Sequence, residues 1–144
     1  MIREIKRAAD GRISAEDYAT IGGFWTARGG SPPPRQRLPT VGVLFEHCCK
    51  PLACAFLYCD ATGSGVGVVA WVASNPSSSP RVAKAAVEHC LDAVERIAVA
   101  MGLSDLLCTQ VMASGMHRML VRHGYGTGET GLCHLLKPIA AKVN

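Results

Sequence analysis

The sequence is short of most features that announce a function. Only 18% of its 144 residues are charged, and the net charge is a mild +4. No basic run with interleaved aromatics occurs, so nucleic-acid binding has no footprint. The longest apolar stretches, such as Leu52–Tyr58 and Val66–Ala73, fall well below the roughly 20 residues that span a bilayer as a helix. The opening "MIREIKRAADGR" has charges throughout and no apolar core, so it is no secretory signal and a cytoplasmic location is expected. Cys-x-x-Cys and His-x-x-x-His pairs are absent, although Glu-His-Cys occurs at Glu46–Cys48 and again at Glu88–Cys90. Zinc sites normally carry paired ligands in two clusters, so no metal is expected. No Walker lysine follows a glycine loop, and no serine lies in a Gly-x-Ser-x-Gly elbow.

What is present reads as one folded domain over residues 1–144. Hydrophobic residues make up 49% of the chain, enough for a core and too many for disorder. Seven cysteines, an odd number, read as reduced residues acting mainly as small hydrophobes.

"MIREIKRAA" supplies a first strand and Asp10-Gly11 a turn. Ser14 with Asp17 opens a helix from Ala15 to about Arg28, with Tyr18, Ile21 and Phe24 or Trp25 at helical spacing. The proline-stiffened "GGSPPPRQRLP" is a connecting loop. Three strand-like segments follow, "TVGVLFEH", "LACAFLYC" and "GVGVVAWVAS", joined at Cys49-Lys50-Pro51 and at "DATGSG". Short connections make them an antiparallel meander. The third is apolar at nearly every position, so both its faces are expected to be covered. From Pro80 to Met101 the period becomes 3.6, with Val87, Leu91, Val94, Ile97 or Ala98 and Met101 in one stripe, and Gly102 ends the helix. "SDLLCTQV" reads as a strand, "GMHRMLVRHG" as a short helix and "GLCHLLKPI" as a last strand. The order β-α-β-β-β-α-β-α-β predicts an α/β (α+β) fold with a mixed sheet and helices on both faces. Gly126, Gly128 and Gly131 match the dinucleotide fingerprint by letter. They follow a helix and precede a strand, the reverse of what pyrophosphate binding needs, so they read as a loop.

The stretch "SSSPRVAKAA" starts the long helix with Ser79 as N-cap and Pro80 at the first helical position. Its first turns carry Arg81 and Lys84 and no carboxylate, against the helix dipole. The amides of Arg81, Val82 and Ala83 lack intrahelical acceptors at that position. An anion seated there would answer both features. Two solvated cations at an ordinary helix start are the alternative.

In element order, from Met1 to about Ile139, the chain resembles the GNAT superfamily of acyl-CoA-dependent N-acyltransferases. Arg81-Val82-Ala83-Lys84-Ala85-Ala86 stands where that family has Gln/Arg-x-x-Gly-x-Gly/Ala, and Gly124-Tyr125 where it has Gly-Phe. Lys84 replaces the central glycine, Leu120 occupies the family's tyrosine position, and the asparagine position falls near Ala113 or Ser114. The resemblance implies a mainly antiparallel sheet of about six strands, with Val68–Ala73 splayed from Leu106–Val111. It implies acetyl-CoA as cosubstrate, with pantetheine along Trp71, Val72 and Ala73. Pyrophosphate would sit at the helix start over Ser79, Arg81, Val82, Ala83, Lys84, Ala85 and Ala86. The implied activity is N-acetyl transfer to a small-molecule or protein amine. The alternative is a GNAT-like CoA-binding or protein-interaction module without catalysis, of the kind found in bacterial and bacteriophage genomes.

No catalytic residue is assigned. Glu46, His117 and Ser114 are candidates, but each has a plainer reading, as a strand-end charge, a solvated helix residue and an N-cap. Phe24 and Trp25 read first as packing residues and second as an acceptor wall. An exposed last strand would leave an edge open to a second copy, a homodimer.

Overall fold

The computed structural model describes residues 1–59, 62–108 and 114–126. By contact density the chain divides into two compact units, Met1–Thr109 and Gln110–Asn144.

The first unit is built on a five-stranded sheet in the order β1 (Ile2–Glu4), β2 (Val41–His47), β3 (Lys50–Cys59), β4 (Val66–Ser74) and β5 (Asp105–Leu107). The first four strands pair antiparallel and β5 runs parallel to β4. The expected meander is therefore present, followed by a crossover through a helix. The β2–β3 turn lies one residue earlier than the sequence indicated. Cys48 and Cys49 form it, with φ of 48° and 60°, and Lys50 already pairs with His47. Positive φ at both central residues marks a type I′ hairpin, whose twist matches that of the strands.

Two helices cover opposite faces of this sheet. Helix α1 (Ala15–Thr26) starts where Ser14 Oγ accepts the Asp17 amide at 3.2 Å. Its Ile21 and Phe24 pack with Leu44, Cys54, Phe56 and Ala73 in one apolar cluster, with Tyr18 and Trp25 at its margin. Both aromatics Phe24 and Trp25 thus serve packing. Asp17 is the buried charged residue of the helix, 1% exposed, and it accepts Arg3 Nη1 and Nη2 at 2.9 and 2.7 Å and the Lys6 amide at 2.7 Å. Burial alone would raise this carboxyl, but the Arg3 and Lys6 bonds more than offset it and hold it below the usual aspartate range.

Helix α2 (Pro80–Ala100) packs on the other face against β2, β3 and β4. Val87, Leu91, Val94 and Ala98 are buried as the 3.6 period requires, whereas Met101 lies beyond the last turn and is exposed. Gly102 follows with φ 78°, the left-handed stop that glycine adopts without strain. Cys54 faces the α1 cluster, while Cys59 Sγ lies 3.8 Å from Met101 Sδ at the end of α2, so the two thiols do point to opposite faces.

In the second unit, α3 (Gly115–Arg122) is capped by Ser114, whose Oγ accepts the His117 amide at 3.0 Å. The expected strand "GLCHLLKPI" and the glycine motif beyond Gly126 lie outside the described residues. No helix among the described residues is long and apolar enough to cross a membrane.

Candidate functional site at the bulged strand β4

The ladder between β3 and β4 departs from regularity within β4. Cys54 pairs with Ala73, but Phe56 pairs with Ala70, so Trp71 and Val72 together oppose Ala55. This is a β-bulge, one residue more on β4 than on its partner. Trp71 has φ 51°, a left-handed backbone that costs a bulky residue of order 1–3 kcal/mol. Its surroundings hold it there. The indole Nε1–H donates to Tyr58 Oη at 2.8 Å, and the tyrosine hydroxyl donates to the Arg37 carbonyl at 2.5 Å. The Cys54 thiol approaches the Trp71 carbonyl at 3.8 Å.

On its other edge β4 meets β5. Their parallel pairing covers Val66↔Asp105, Gly67↔Leu106 and Val68↔Leu107. Among the described residues no pairing continues past Val68, although β4 runs on to Ser74. Gly67 lets the strands meet closely, since a Cβ there would lie 2.9 Å from Leu57 and Leu103 and 3.0 Å from Leu106. The expectation that both faces of β4 are covered fails at this place. Val68 and Trp71 are 38% and 36% exposed, because α1 reaches only the far half of the strand, where Ala73 joins its cluster.

The loop from β4 to α2 is tightly tied. Asn75 donates its amide to Leu52 O at 2.7 Å and its side-chain Nδ2 to Pro51 O at 2.9 Å. Its Oδ1 accepts the Ser77 amide at 2.9 Å, and its carbonyl accepts the Ser78 amide at 3.0 Å. The loop therefore delivers the start of α2 at a fixed place beside the end of β4.

That helix start is less bare than the sequence implied. Ser79 Oγ accepts the Val82 amide at 3.4 Å, and Ser79 O accepts the Ala83 amide at 2.9 Å. The Arg81 amide forms no bond among the described residues. Ser78 Oγ is buried without a hydrogen-bond partner, an arrangement that ordinarily signals a missing ligand or water. Arg81 is exposed and has no carboxylate partner among the described residues. Lys84 points outward and pairs with Glu88 at 3.3 Å, an i,i+4 contact. Ala85 is exposed, whereas Ala86 is buried in the packed side of the helix. The polar groups at this helix start are those of Ser78, Ser79 and Arg81, and sequence reading missed Ser78 because only the fold shows its hydroxyl to be buried without a partner.

Of the candidate catalytic groups, Glu46 and Ser114 have structural employment, and His117 is engaged through its backbone amide. Glu46 Oε1 accepts Arg3 at 3.2 Å and so ties β2 to β1. Ser114 caps α3 through the His117 amide. Leu120 is buried, 4% exposed. Burial raises the Cys54 thiol far above its ordinary range and pushes Cys90 up to about 12, so neither is a nucleophile. No cluster of metal-ligating side chains occurs among the described residues.

No protein-family profile matches this sequence and no curated protein matches it. Solved structures do resemble its fold. N-acetylglutamate synthase from Neisseria gonorrhoeae, complexed with coenzyme A and L-arginine, superposes with a TM-score of 0.68 at 18% identity. That match covers 93% of this chain and 29% of the synthase, so this chain spans less than a third of that protein. Rv2747 from Mycobacterium tuberculosis, in complex with CoA and NLQ, gives 0.66 at 15% identity over 92% of this chain and 76% of that one. SA2161 from Staphylococcus aureus, a probable acetyltransferase, gives 0.63 at 10% identity over 96% and 100% of the two chains. A bulged fourth strand, a parallel fifth strand and a capped helix between them accord with these likenesses: the chain has the fold of the GNAT acetyltransferases.

Proposed function

We propose that the protein is an acyl-CoA-dependent N-acyltransferase that uses acetyl-CoA and delivers the acetyl group directly to a primary amine. The observation that carries this reading is the bulge at Trp71, where a left-handed backbone breaks the β3–β4 ladder beside the capped start of α2. An extended pantetheine arm would lie along Trp71, Val72 and Ala73, where the bulge sets Trp71 and Val72 together opposite Ala55. At the outer end the pyrophosphate would take the Arg81 amide, the Ser78 and Ser79 hydroxyls and the Arg81 guanidinium, on the positive pole of α2. Val82, Ala83 and Ala85 border that seat, and Ala86 supports it from within the core. Lys84 is held by an exposed ion pair worth only about 0.3–0.5 kcal/mol, which a phosphate would readily displace.

The reaction needs little from side chains. The amine lone pair attacks the thioester carbonyl carbon, the C–N bond forms and the C–S bond breaks. The thiolate leaves and takes up a proton, while the new amide sheds its extra proton to water. Thiolate is a good leaving group, so orientation in the cleft carries most of the work. The setting would be cytoplasmic, where free thiols and acetyl-CoA coexist.

A second reading, CoA binding without transfer, is favoured by one observation. Leu120, buried and aliphatic, replaces the proton-donating tyrosine of the resembling family. Calorimetry and product analysis separate the two. Acetyl-CoA is expected to bind in the micromolar range, with at least about tenfold loss in the Arg81→Ala, Lys84→Ala double variant. No binding at millimolar ligand refutes both readings, and unchanged binding in the variant refutes this seat for the pyrophosphate. Acetylated amine detected by mass spectrometry selects the enzyme, and its absence with acetyl-CoA bound selects the module.

A further inference from the structure

We propose that the acceptor is an amino acid with a hydrophobic or aromatic side chain, its carboxylate anchored by Arg28 and its apolar body laid against the Trp71–Tyr58 wall. The inference rests on the acyl-transfer reading above and names the substrate class of that same site.

Arg28 stands just beyond the end of α1. Its Nη1 donates to Phe24 O at 3.0 Å and its Nη2 to Ser74 Oγ at 3.0 Å, so the guanidinium is strapped between the helix and the last residue of β4. Both acceptors are neutral. Arg3, Lys6, Arg12, Arg35 and Lys84 each face a carboxylate, whereas Arg28 has none among the described residues. A guanidinium has five donors in a planar fork suited to carboxylate. Two tethers fix the fork and leave donors and a full charge to offer. An ordinary surface arginine is neither tied across 46 residues of sequence nor held over a strand end.

The fork is also in the right neighbourhood. Ser74 lies three residues past Trp71 on β4, about 10 Å at strand rise and less across a bulge. Cys54 bridges that interval, since its thiol is 3.8 Å from the Trp71 carbonyl and lies within the electrostatic reach of Arg28. At the other end of the interval stand the Trp71 and Tyr58 rings, 36% and 38% exposed and locked to each other and to Arg37 O. Val68, the register partner of Tyr58, extends this apolar wall. An amino acid whose carboxylate, with the neighbouring α-amine, is held at the fixed cation would extend its side chain toward the fixed aromatic wall. The exposed cation of Arg37 beside the same wall disfavours polyamines and other purely cationic acceptors.

The test uses the full chain with acetyl-CoA and four acceptors: phenylalanine, leucine, phenethylamine and spermidine. Acetylated product is followed by mass spectrometry. Phenylalanine is expected to exceed phenethylamine about 30-fold in kcat/KM, because a site built for a charged group penalises the analogue that lacks it. Arg28→Gln should reduce that ratio to within about threefold, chiefly through KM, and Arg28→Lys should restore part of it. Phenethylamine or spermidine used as well as phenylalanine overturns the inference, as does an unchanged ratio in Arg28→Gln. Saturation-transfer NMR of phenylalanine provides a readout independent of turnover, with circular dichroism confirming that each variant is folded. Phenylalanine binding that Arg28→Gln abolishes upholds the anchor even if acetyl-CoA fails to bind and the transfer reading falls. No phenylalanine binding by the acetyl-CoA-loaded protein overturns the anchor and leaves the transfer reading standing.

Discussion

Replacing Asp17 by asparagine should destabilise the first unit strongly and in a pH-dependent way. The carboxylate is 1% exposed and receives three short bonds, two from Arg3 and one from the Lys6 amide. Breaking a buried pair from one side typically costs about 3–5 kcal/mol. Two features lower that figure here. Arg3 keeps Glu46 at 3.2 Å, and the asparagine oxygen still accepts one donor, so about 2–3 kcal/mol is expected. For a chain of this size that corresponds to roughly 6–12 °C in Tm. The folded carboxyl titrates below the unfolded one, whose value is about 3.9. The stabilisation is therefore complete above the unfolded value and is lost as pH falls through the folded one. Urea unfolding of both proteins at pH 7 and near pH 3 measures this directly. The gap between them should be about 2–3 kcal/mol at pH 7 and clearly smaller at pH 3. A gap under about 1 kcal/mol at pH 7, or one that does not change with pH, would refute the account of Asp17 as the clasp between α1 and β1.

Gly42→Ala should cost about 1–3 kcal/mol in the same assay. The new Cβ would lie 2.6 Å from the Phe56 ring and 2.9 Å from Ile5 Cδ1, and Phe56 is fully buried, so the ring has nowhere to go. The opposite sign is expected at the β2–β3 turn. Cys48→Asn with Cys49→Gly supplies residues that accept φ of 48° and 60° and should raise stability by about 0.5–2 kcal/mol, read as a higher Tm.

The elements were legible where side-chain periodicity and end signals agree. Ser79-Pro80 and Gly102 bracket α2 to within a residue or two, and alternation with short turns marks β2, β3 and β4. Legibility ended where a tertiary contact decides the backbone. Nothing local in "AWVAS" announces that Trp71 turns left-handed, since the tyrosine hydroxyl that helps hold it lies on another strand. The β2–β3 turn was misplaced by one residue because Pro51 is the usual turn former, whereas two cysteines take the left-handed positions. Lys84 read as a counter-charge to an anion until the fold gave it Glu88. Arg28 was invisible as a site residue for the same reason, since Ser74 becomes its neighbour only through the fold.

The bulge changes the parity of β4. Tyr58↔Val68 and Phe56↔Ala70 put even-numbered residues on the α1 face before it, and Cys54↔Ala73 puts an odd-numbered residue there after it. Two out-of-phase halves therefore share one strand, and the single extra residue is the phase slip between them. Insertions and deletions in this segment are consequently not equivalent to substitutions. Removing one residue at Trp71 or Val72 would restore an unbroken alternation with β3, take away the reason for the left-handed backbone, and turn the segment into an ordinary strand. Drift in side chains can retune such a strand gradually, but its bulge is a matter of counting, present or absent with one codon.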